Sequence, residues 1–149
     1  MNILFLLTPK AQCAYVREED SIRQALERMS ISGYAAVPIL AKDGSYRGTL
    51  TEGDLLWAIK DLYLMDMKEA ETHSIMDIRH RKDNEAVTVT TPVEALLSKA
   101  VEQNFVPVVD DRNTFIGIVT RRAIMQQVID KNTAAAGNDR PRQTEKAVV

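Results

Sequence analysis

Two threonines in this sequence begin predicted helices directly after predicted strands, and the residues that follow them differ in charge. Thr51 is followed by Asp54 three positions on, and Thr120 is followed at once by Arg121 and Arg122. The free N–H groups at a helix N-terminus suit a phosphate. A carboxylate at Asp54 can accept hydrogen bonds from both hydroxyls of a ribose diol, whereas two guanidinium groups can pair with phosphate oxygens.

Each of these residues also has a purely structural interpretation. Asp54 occupies the third helical position, where an acidic residue supports the helix N-terminus without any ligand. Arg121 and Arg122 would then be exposed side chains of a solvated helix. Because two cations in a first turn oppose the helix dipole, we favour a binding site for them. Tyr34 can stack on a base, or it can be a partly buried core aromatic.

The elements that carry these residues occur twice in the chain. Residues 37–40 match residues 106–109, and residues 48–51 match residues 117–120, both at an offset of 69 positions. Upstream the offset is 71, and there Val16 matches Val87. Each copy is predicted to run strand, helix, strand, turn, strand, helix, with Asp20 and Thr91 as the N-caps of the first helices.

One copy of about 45 residues is too small to bury its own sheet. We therefore predict an α/β (α+β) fold in which two β-α-β-β-α motifs pack face to face around a pseudo-twofold axis. The predicted divisions are an N-terminal segment packing on the module (1–13), motif 1 (14–60), a connector (61–85), motif 2 (86–130) and a disordered tail (131–149).

Composition excludes several classes of function. The 149 residues include 19 basic and 21 acidic side chains, so no global positive charge favours nucleic acid. Cys13 is the only cysteine, which excludes an intramolecular disulfide and, with no recognisable signal peptide, predicts a cytoplasmic protein. The apolar run 3–7 is too short to span a membrane. No spacing typical of a metal site or a catalytic nucleophile is present, so we predict no enzyme activity, no metal and no cofactor.

The duplicated order of signals resembles the family of paired CBS (cystathionine β-synthase) domains, also called Bateman modules, over about residues 3–130. The resemblance rests on residues 33–38, Gly48-x-x-Thr51-x-x-Asp54, 105–110, Gly117-x-x-Thr120 and 7–10. More narrowly, the chain is similar to small stand-alone CBS proteins of Gram-positive bacteria that bind cyclic di-AMP. The resemblance implies two clefts between the copies, each able to hold an adenosine nucleotide, and a disc-like homodimer.

The resemblance assigns residues to two sites. The first would combine Gln12, Cys13, Ala14, Tyr34, Ala35, Ala36, Val37, Thr120, Arg121 and Arg122. The second would combine Thr51, Asp54, Val87, Asn104 and Phe105. A cyclic 3′,5′-dinucleotide has no free 3′-hydroxyl and gains little from a diol-binding carboxylate. We therefore expect cyclic di-AMP at the arginine site, and AMP, ADP or ATP at Asp54.

These expectations favour a ligand-sensing module that binds cyclic di-AMP and modulates an unidentified partner protein, with no role for nucleic acid or membrane. The partner is expected to contact the second helix of each copy and the connector methionines Met65, Met67 and Met76. One alternative is an energy sensor that binds AMP, ADP or ATP through Asp54. Another is a structural dimerisation module with vestigial pockets.

Overall fold

The computed structural model describes residues 2–63, 66–80 and 83–138, which form an α+β fold. The strands are β1 (Thr8–Pro9), β2 (Val16–Arg17), β3 (Ala36–Leu40), β4 (Tyr46–Thr51), β5 (Val87–Thr88), β6 (Phe105–Val109) and β7 (Phe115–Thr120). The helices are α1 (Ile22–Ser32), α2 (Glu52–Asp61), α3 (Met67–Ala70), α4 (Val93–Glu102) and α5 (Arg121–Asn138), with short 3₁₀ turns at Ile3–Phe5 and Lys10–Gln12.

The two copies form one sheet each, with the same internal topology. In copy one, β2 pairs parallel with β3 and β3 pairs antiparallel with β4; in copy two, β5, β6 and β7 repeat this arrangement. Val37 stands opposite Leu50 in the first sheet, and Val106 stands opposite Val119 in the second. The repeated β-α-β-β-α order and the mixed fold class predicted from the sequence are confirmed.

Contrary to the expectation that one copy is too small to bury its own sheet, each copy buries its own apolar core between its sheet and its helices. The fully buried side chains of copy one include Val16, Ile22 and Leu50. The corresponding core of copy two includes Leu96 and Val119, together with Ile3 from the N-terminal segment. The apolar spacing of the sequence therefore finds its partners mostly within one copy, as amphipathic helices on half-buried sheets require.

The N-terminal segment crosses onto the sheet of the second copy. β1 pairs antiparallel with β7, with Thr8 opposite Ile118 and Pro9 opposite Gly117. A Cβ on Gly117 would stand 2.3 Å from the Thr8 carbonyl oxygen, so only glycine permits this close approach. Strand β7 thereby holds the start of the chain beside copy two.

The hairpin turns of the two copies also meet. Ser45 and Thr114 form an isolated antiparallel bridge, and the Phe115 amide donates to the Gly44 carbonyl at 3.0 Å. In the reverse direction, the Tyr46 amide donates to the Asn113 carbonyl at 3.2 Å. Backbone hydrogen bonds therefore fix the copies to each other at this end.

The first helix of each copy starts differently from the prediction. Ser21, rather than Asp20, caps α1: its hydroxyl accepts from the Gln24 amide, and the Gln24 side chain accepts from the Ser21 amide. The Asp20 carboxylate is buried and accepts instead from the Arg17 amide at 2.9 Å. In copy two, Pro92 rather than Thr91 occupies the N-cap of α4, without a side-chain cap.

Helix α5 continues past the predicted start of a disordered tail at residue 131. It runs to Asn138 through the sequence Thr-Ala-Ala-Ala, in which alanine has the highest helix propensity. The Thr133 hydroxyl donates to the Ile129 carbonyl one turn earlier at 2.9 Å. Residues 131–138 are therefore helical, and the remainder of the predicted tail, 139–149, lies outside the described residues.

Among the residues that the structure describes, no helix combines the length and the apolar character needed to cross a bilayer.

Candidate functional site

A cavity of about 270 Å³ opens at the seam between the two copies. Copy one contributes residues 34–36 and Pro38, and copy two contributes Ile118 and Thr120. The remaining lining residues are Thr8, Gln12, Cys13, Ala14, Asn104 and Phe105. The cavity is therefore built from the starts of β3 and β6, the end of β7 and the segment that leads from β1 towards β2.

The cavity wall in copy one depends on how α1 ends. Gly33 is the C-cap of α1 and has the left-handed conformation (φ 72°). Its amide donates to the Met29 carbonyl at 2.9 Å. The chain then turns directly into Tyr34, whose side chain is 58% exposed. The two small residues that follow, Ala35 and Ala36, leave room beside the tyrosine ring.

The opposite wall is formed where β7 passes into α5. The Thr120 hydroxyl accepts from the Ala123 amide at 3.1 Å, which caps the helix. The Arg121 amide donates to the Asn104 carbonyl at 2.9 Å, so the start of α5 is tied to the residue before β6. In copy one the Glu52 amide makes the same bond to the Ala35 carbonyl. The wall therefore presents a helix N-terminus, which suits an anionic group.

Cys13 lies in the cavity wall with its thiol directed at the backbone. Its Sγ donates to the carbonyls of Thr8 and Pro9, each at 3.4 Å. Partial burial raises the pKa of the Cys13 thiol above its usual value. The thiol therefore stays protonated near neutral pH and acts as a small apolar wall residue.

Arg121 has a structural role that the sequence interpretation did not include. Its Nε donates to the carbonyls of Ala100 (2.7 Å) and Gln103 (3.1 Å), at the C-terminal end of α4. Arg121 does not line the cavity, and its Nε–H is engaged by these backbone carbonyls. This contact explains a cation in the first turn of α5, because the carbonyl end of α4 favours positive charge.

Arg122 is exposed at the start of α5 and also lies outside the cavity lining. It makes no hydrogen bond or ion pair within the described chain. Val37, assigned to the same site, is 2% exposed and packs into the core of copy one. It lines a separate cavity of about 360 Å³ behind the segment Cys13–Val16. The alternation of a strand puts Val37 on the opposite face from its neighbours in the cleft.

The structure places the residues predicted for the second site in different surroundings. Asn104 and Phe105 line the first cavity, and Val87 is buried in the core of copy two. Thr51 and Asp54 form a capping box: the Asp54 amide donates to Thr51 Oγ1, and the Thr51 amide donates to Asp54 Oδ2, each at 3.0 Å. Asp54 is 1% exposed, and these two bonds are those of the helix-capping alternative.

Side chains bridge the two segments that would line the second cleft. Gln103 occupies the position equivalent to Tyr34, and its side-chain amide bonds both to the Glu85 backbone (3.0 and 3.2 Å) and to the Phe105 carbonyl (3.3 Å). Asn84, the equivalent of Cys13, donates to the Phe105 carbonyl at 3.0 Å. Both side chains are 6% exposed. The segment before β5 is thus hydrogen-bonded directly to the start of β6.

Sequence reasoning missed three residues of the open cavity. Thr8 and Ile118 reach it through the pairing of β1 with β7, and Pro38 through the inward face of β3. The sequence signal for this pairing was the glycine that recurs at equivalent positions, Gly48 and Gly117. In the structure, Gly117 is where the Thr8 backbone approaches β7 most closely. In copy one an Asp83 side-chain oxygen takes the place of the Thr8 carbonyl, 2.6 Å from the point where a Cβ on Gly48 would stand.

Comparisons with known proteins agree with this architecture. A family model described as the CBS domain matches residues 7–61 and 75–130. No curated protein matches the chain significantly.

Solved structures of similar fold include CBS proteins from several bacteria. CbpB of Listeria monocytogenes in complex with c-di-AMP (cyclic di-AMP) is 23% identical, with a TM-score of 0.76 over 89% of this chain and 98% of that chain. CbpB of Streptococcus agalactiae is 23% identical, with a TM-score of 0.72 over 91% and 84%. A CBS domain protein of Streptococcus pneumoniae is 24% identical, with a TM-score of 0.75 over 87% of each chain. At these identities the likeness establishes the fold.

Proposed function

We propose a regulatory, nucleotide-binding role for this chain, which belongs to the CBS-domain family and carries two CBS motifs in tandem. In this proposal the chain is a sensor without catalytic activity that binds cyclic di-AMP and changes its affinity for a partner protein. Such coupling requires the ligand to bind two states of the chain with different affinity.

The single observation that carries the proposal is the open cavity beside Tyr34. An exposed aromatic ring next to Ala35 and Ala36 suits an adenine base, because a flat base can stack on tyrosine where small neighbours allow close approach. Ligand cavities usually measure about 300–1,000 Å³, so a cavity of about 270 Å³ lies just below this range and suits one nucleoside. The rest of a dinucleotide would extend over the cavity mouth.

The charge at this cavity favours a phosphodiester over a free ribose diol. Ala123 stands at the position where copy one has Asp54, so no carboxylate follows the helix start at Thr120. Arg122 has no partner among the described residues, and its guanidinium is available to phosphate oxygens outside the cavity. These features support cyclic di-AMP more than AMP, ADP or ATP, whose expected partner, Asp54, is buried in a helix cap.

The test is a thermal-shift and calorimetric titration with cyclic di-AMP, AMP, ADP and ATP. Cyclic di-AMP is expected to stabilise the chain, by about 2.7 kcal/mol at 100 times its dissociation constant. Arg122→Ala should weaken this ligand at least about tenfold. Arg112→Ala, which removes another exposed arginine in the second hairpin turn, is the matched control and should bind normally.

Two results would contradict the proposed ligand, and a third would contradict the role of Arg122. Tight binding of AMP or ATP without cyclic di-AMP binding would favour the energy sensor. The absence of any response to an adenine nucleotide would favour a structural dimerisation module. Equal binding by wild type and Arg122→Ala would remove this arginine from the site.

The proposal includes a homodimer in the cytoplasm and a regulated partner protein. The exposed apolar residues of the second helices, Leu56 and Trp57 on α2 and Met125 and Ile129 on α5, support a contact role for these surfaces. Met67 and Met76 in the connector are also exposed, while Met65 lies outside the described residues. Burial of apolar area of this kind is a main driving force in protein association.

A further inference from the structure

A separate cavity of about 210 Å³, which shares no lining residue with the cleft, carries positive charge. Three cationic side chains line it: Lys10 from the second 3₁₀ turn, Arg17 from β2 and Lys42 from the first hairpin turn. The rest of the lining consists of Tyr15, Leu40, Ala41, Asp43 and Gly44. None of these residues belongs to the cleft proposed for the nucleotide.

The three cations are not neutralised by neighbours. Within the described chain, none of them forms an ion pair. Lys10 Nζ lies over the Tyr15 ring, 5.6 Å from its centroid, and 3.9 Å from the point where a Cβ on Gly44 would stand. Its ammonium is therefore held above the hairpin turn rather than extended into solvent.

The acidic residue of the lining is already occupied. Asp43 Oδ1 accepts from the Ser45 amide at 2.9 Å and from the Ser45 hydroxyl at 2.6 Å. These hydrogen bonds lower the pKa of the Asp43 carboxyl and hold its side chain against Ser45 in the hairpin turn. The cavity therefore has an excess of positive charge, which attracts anions.

The fold does not require this charge. At the equivalent positions of copy two, Thr88 replaces Arg17 and Asp111 replaces Lys42. Both copies form the same strands and the same hairpin turn with opposite local charge. The charges of Arg17 and Lys42 are thus not repeated in copy two, and a structural requirement of the motif does not explain them.

We propose that Lys10, Arg17 and Lys42 form a binding site for a multivalent oxyanion of the phosphate class. A planar guanidinium can bind two oxygens of such an anion, and two ammonium groups add donors of adjustable direction. The cavity has a volume of about 210 Å³, and its cationic lining suits a compact, multiply charged anion such as phosphate or pyrophosphate.

The position of the site links it to the cleft. Lys10 and Arg17 bracket the segment whose middle residues, 12–14, form one wall of the cleft. An anion that contacts both bracketing side chains would fix the two ends of this wall. Because binding at two sites that share one ordered segment is coupled, and the coupling is reciprocal, anion and nucleotide should alter each other's affinity. This coupling, unlike the anion site itself, rests on the proposed function.

The first experiment titrates pyrophosphate and inorganic phosphate into the nucleotide-free chain by calorimetry at physiological salt. Pyrophosphate is expected to bind, and more tightly than phosphate. Lys42→Glu and Arg17→Glu, both at exposed positions, should each weaken pyrophosphate by about tenfold or more. Lys68→Glu, an equal change of charge on α3, is the control and should bind like wild type. Failure of wild type to bind pyrophosphate, or normal binding by both site variants, overturns the proposal.

The second experiment measures the dissociation constants of cyclic di-AMP, ATP and AMP with and without saturating pyrophosphate. The dissociation constant of cyclic di-AMP should change in wild type and not in Lys42→Glu. An unchanged constant in wild type refutes the coupling.

The source of the oxyanion is tested by comparing ATP with AMP. If Lys42→Glu weakens the binding of ATP but not of AMP, the oxyanion is the tail of a nucleotide rather than a free ion. Pyrophosphate binding without any nucleotide binding would refute the proposed function only, whereas nucleotide binding without pyrophosphate binding would refute the anion site only.

Discussion

Tyr46 fastens the connector to the first sheet through its phenol group. The hydroxyl lies 2.8 Å from Thr49 Oγ1 and donates to the Asn84 carbonyl at 2.6 Å. Burial is the main cause that raises the pKa of Tyr46 to about 12, against 10.0 for an ordinary tyrosine. The folded chain therefore holds this phenol neutral at pH values where the unfolded chain would ionise it.

This shift predicts a loss of stability in alkaline solution. The contribution is fully present below pH 10, and it is lost as the pH rises from 10 to about 12, because only the unfolded state releases the proton there. Two pKa units correspond to about 2–3 kcal/mol of the free energy of unfolding. Chemical denaturation at a series of pH values measures it.

Two variants test the assignment of this alkaline loss. Tyr46→Phe should be less stable at neutral pH and should lack the component between pH 10 and 12. Tyr34→Phe, which changes a phenol that is 58% exposed, should keep it. An unchanged alkaline profile in Tyr46→Phe would contradict the assignment.

At the scale of single residues, the sequence predicts the location of those side chains whose position is set by residues next to them in the chain. Cys13, Ala14, Tyr34 and Thr120 meet in one cavity because each stands next to a strand or helix end that the repeat identifies. The role of Arg121 could not be predicted in this way. Its partners are backbone carbonyls of another helix, and only the tertiary packing brings α4 against α5.

At the scale of elements, Arg121 joins the C-terminal end of α4 to the N-terminal end of α5. We expect Arg121→Ala to leave the Ala100 and Gln103 carbonyls without this donor and to lower the free energy of unfolding by about 1–3 kcal/mol. Arg122→Ala removes an exposed side chain and should change stability by less than about 0.5 kcal/mol. Urea denaturation of both variants makes the comparison.

The two arginines should therefore separate stability from ligand binding. Arg121→Ala is expected to fold less stably, while Arg122→Ala is expected to fold normally and to lose affinity for cyclic di-AMP. Equal stability of the two variants would mean that the contact with α4 contributes nothing. Since both residues are arginines at adjacent positions, their matched chemistry excludes a general effect of charge.

The order of elements could be predicted, but some of their ends could not. The repeat and its apolar spacing predict strand, helix, strand, turn, strand and helix in both copies, as the structure has them. The N-cap of α1 was misplaced by one residue because Asp20 and Ser21 are both good capping residues. The local hydrogen bond from the Arg17 amide engages the Asp20 carboxylate and leaves the cap to Ser21.

At the scale of the whole molecule, the two halves repeat each other in topology and differ at the seam. The seam is open beside Tyr34 and bridged by side-chain amides at Asn84 and Gln103. The duplication visible in the sequence predicts two equivalent clefts. It could not predict this asymmetry. Gln103 is buried and the equivalent Tyr34 is exposed, and only the tertiary packing determines this difference.

This asymmetry predicts the stoichiometry of binding. We expect one adenosine-bearing ligand per chain, because entry at the second position would have to break the hydrogen bonds of Gln103 with the Glu85 backbone. Breaking buried hydrogen bonds without replacement costs about 1–3 kcal/mol for each group left unpaired. Isothermal titration at protein concentrations well above the dissociation constant gives the number directly. Two molecules bound per chain with similar affinity would contradict the expectation.

The pairing of β1 with β7 joins residues near the two ends of the described chain. During synthesis on the ribosome, the first strand leaves the exit tunnel long before its partner exists. The open cavity includes Thr8 and Ile118, so it can be completed only after both copies have been translated. A nascent chain arrested before β7 would therefore lack the partner strand of β1 and one wall of the cavity.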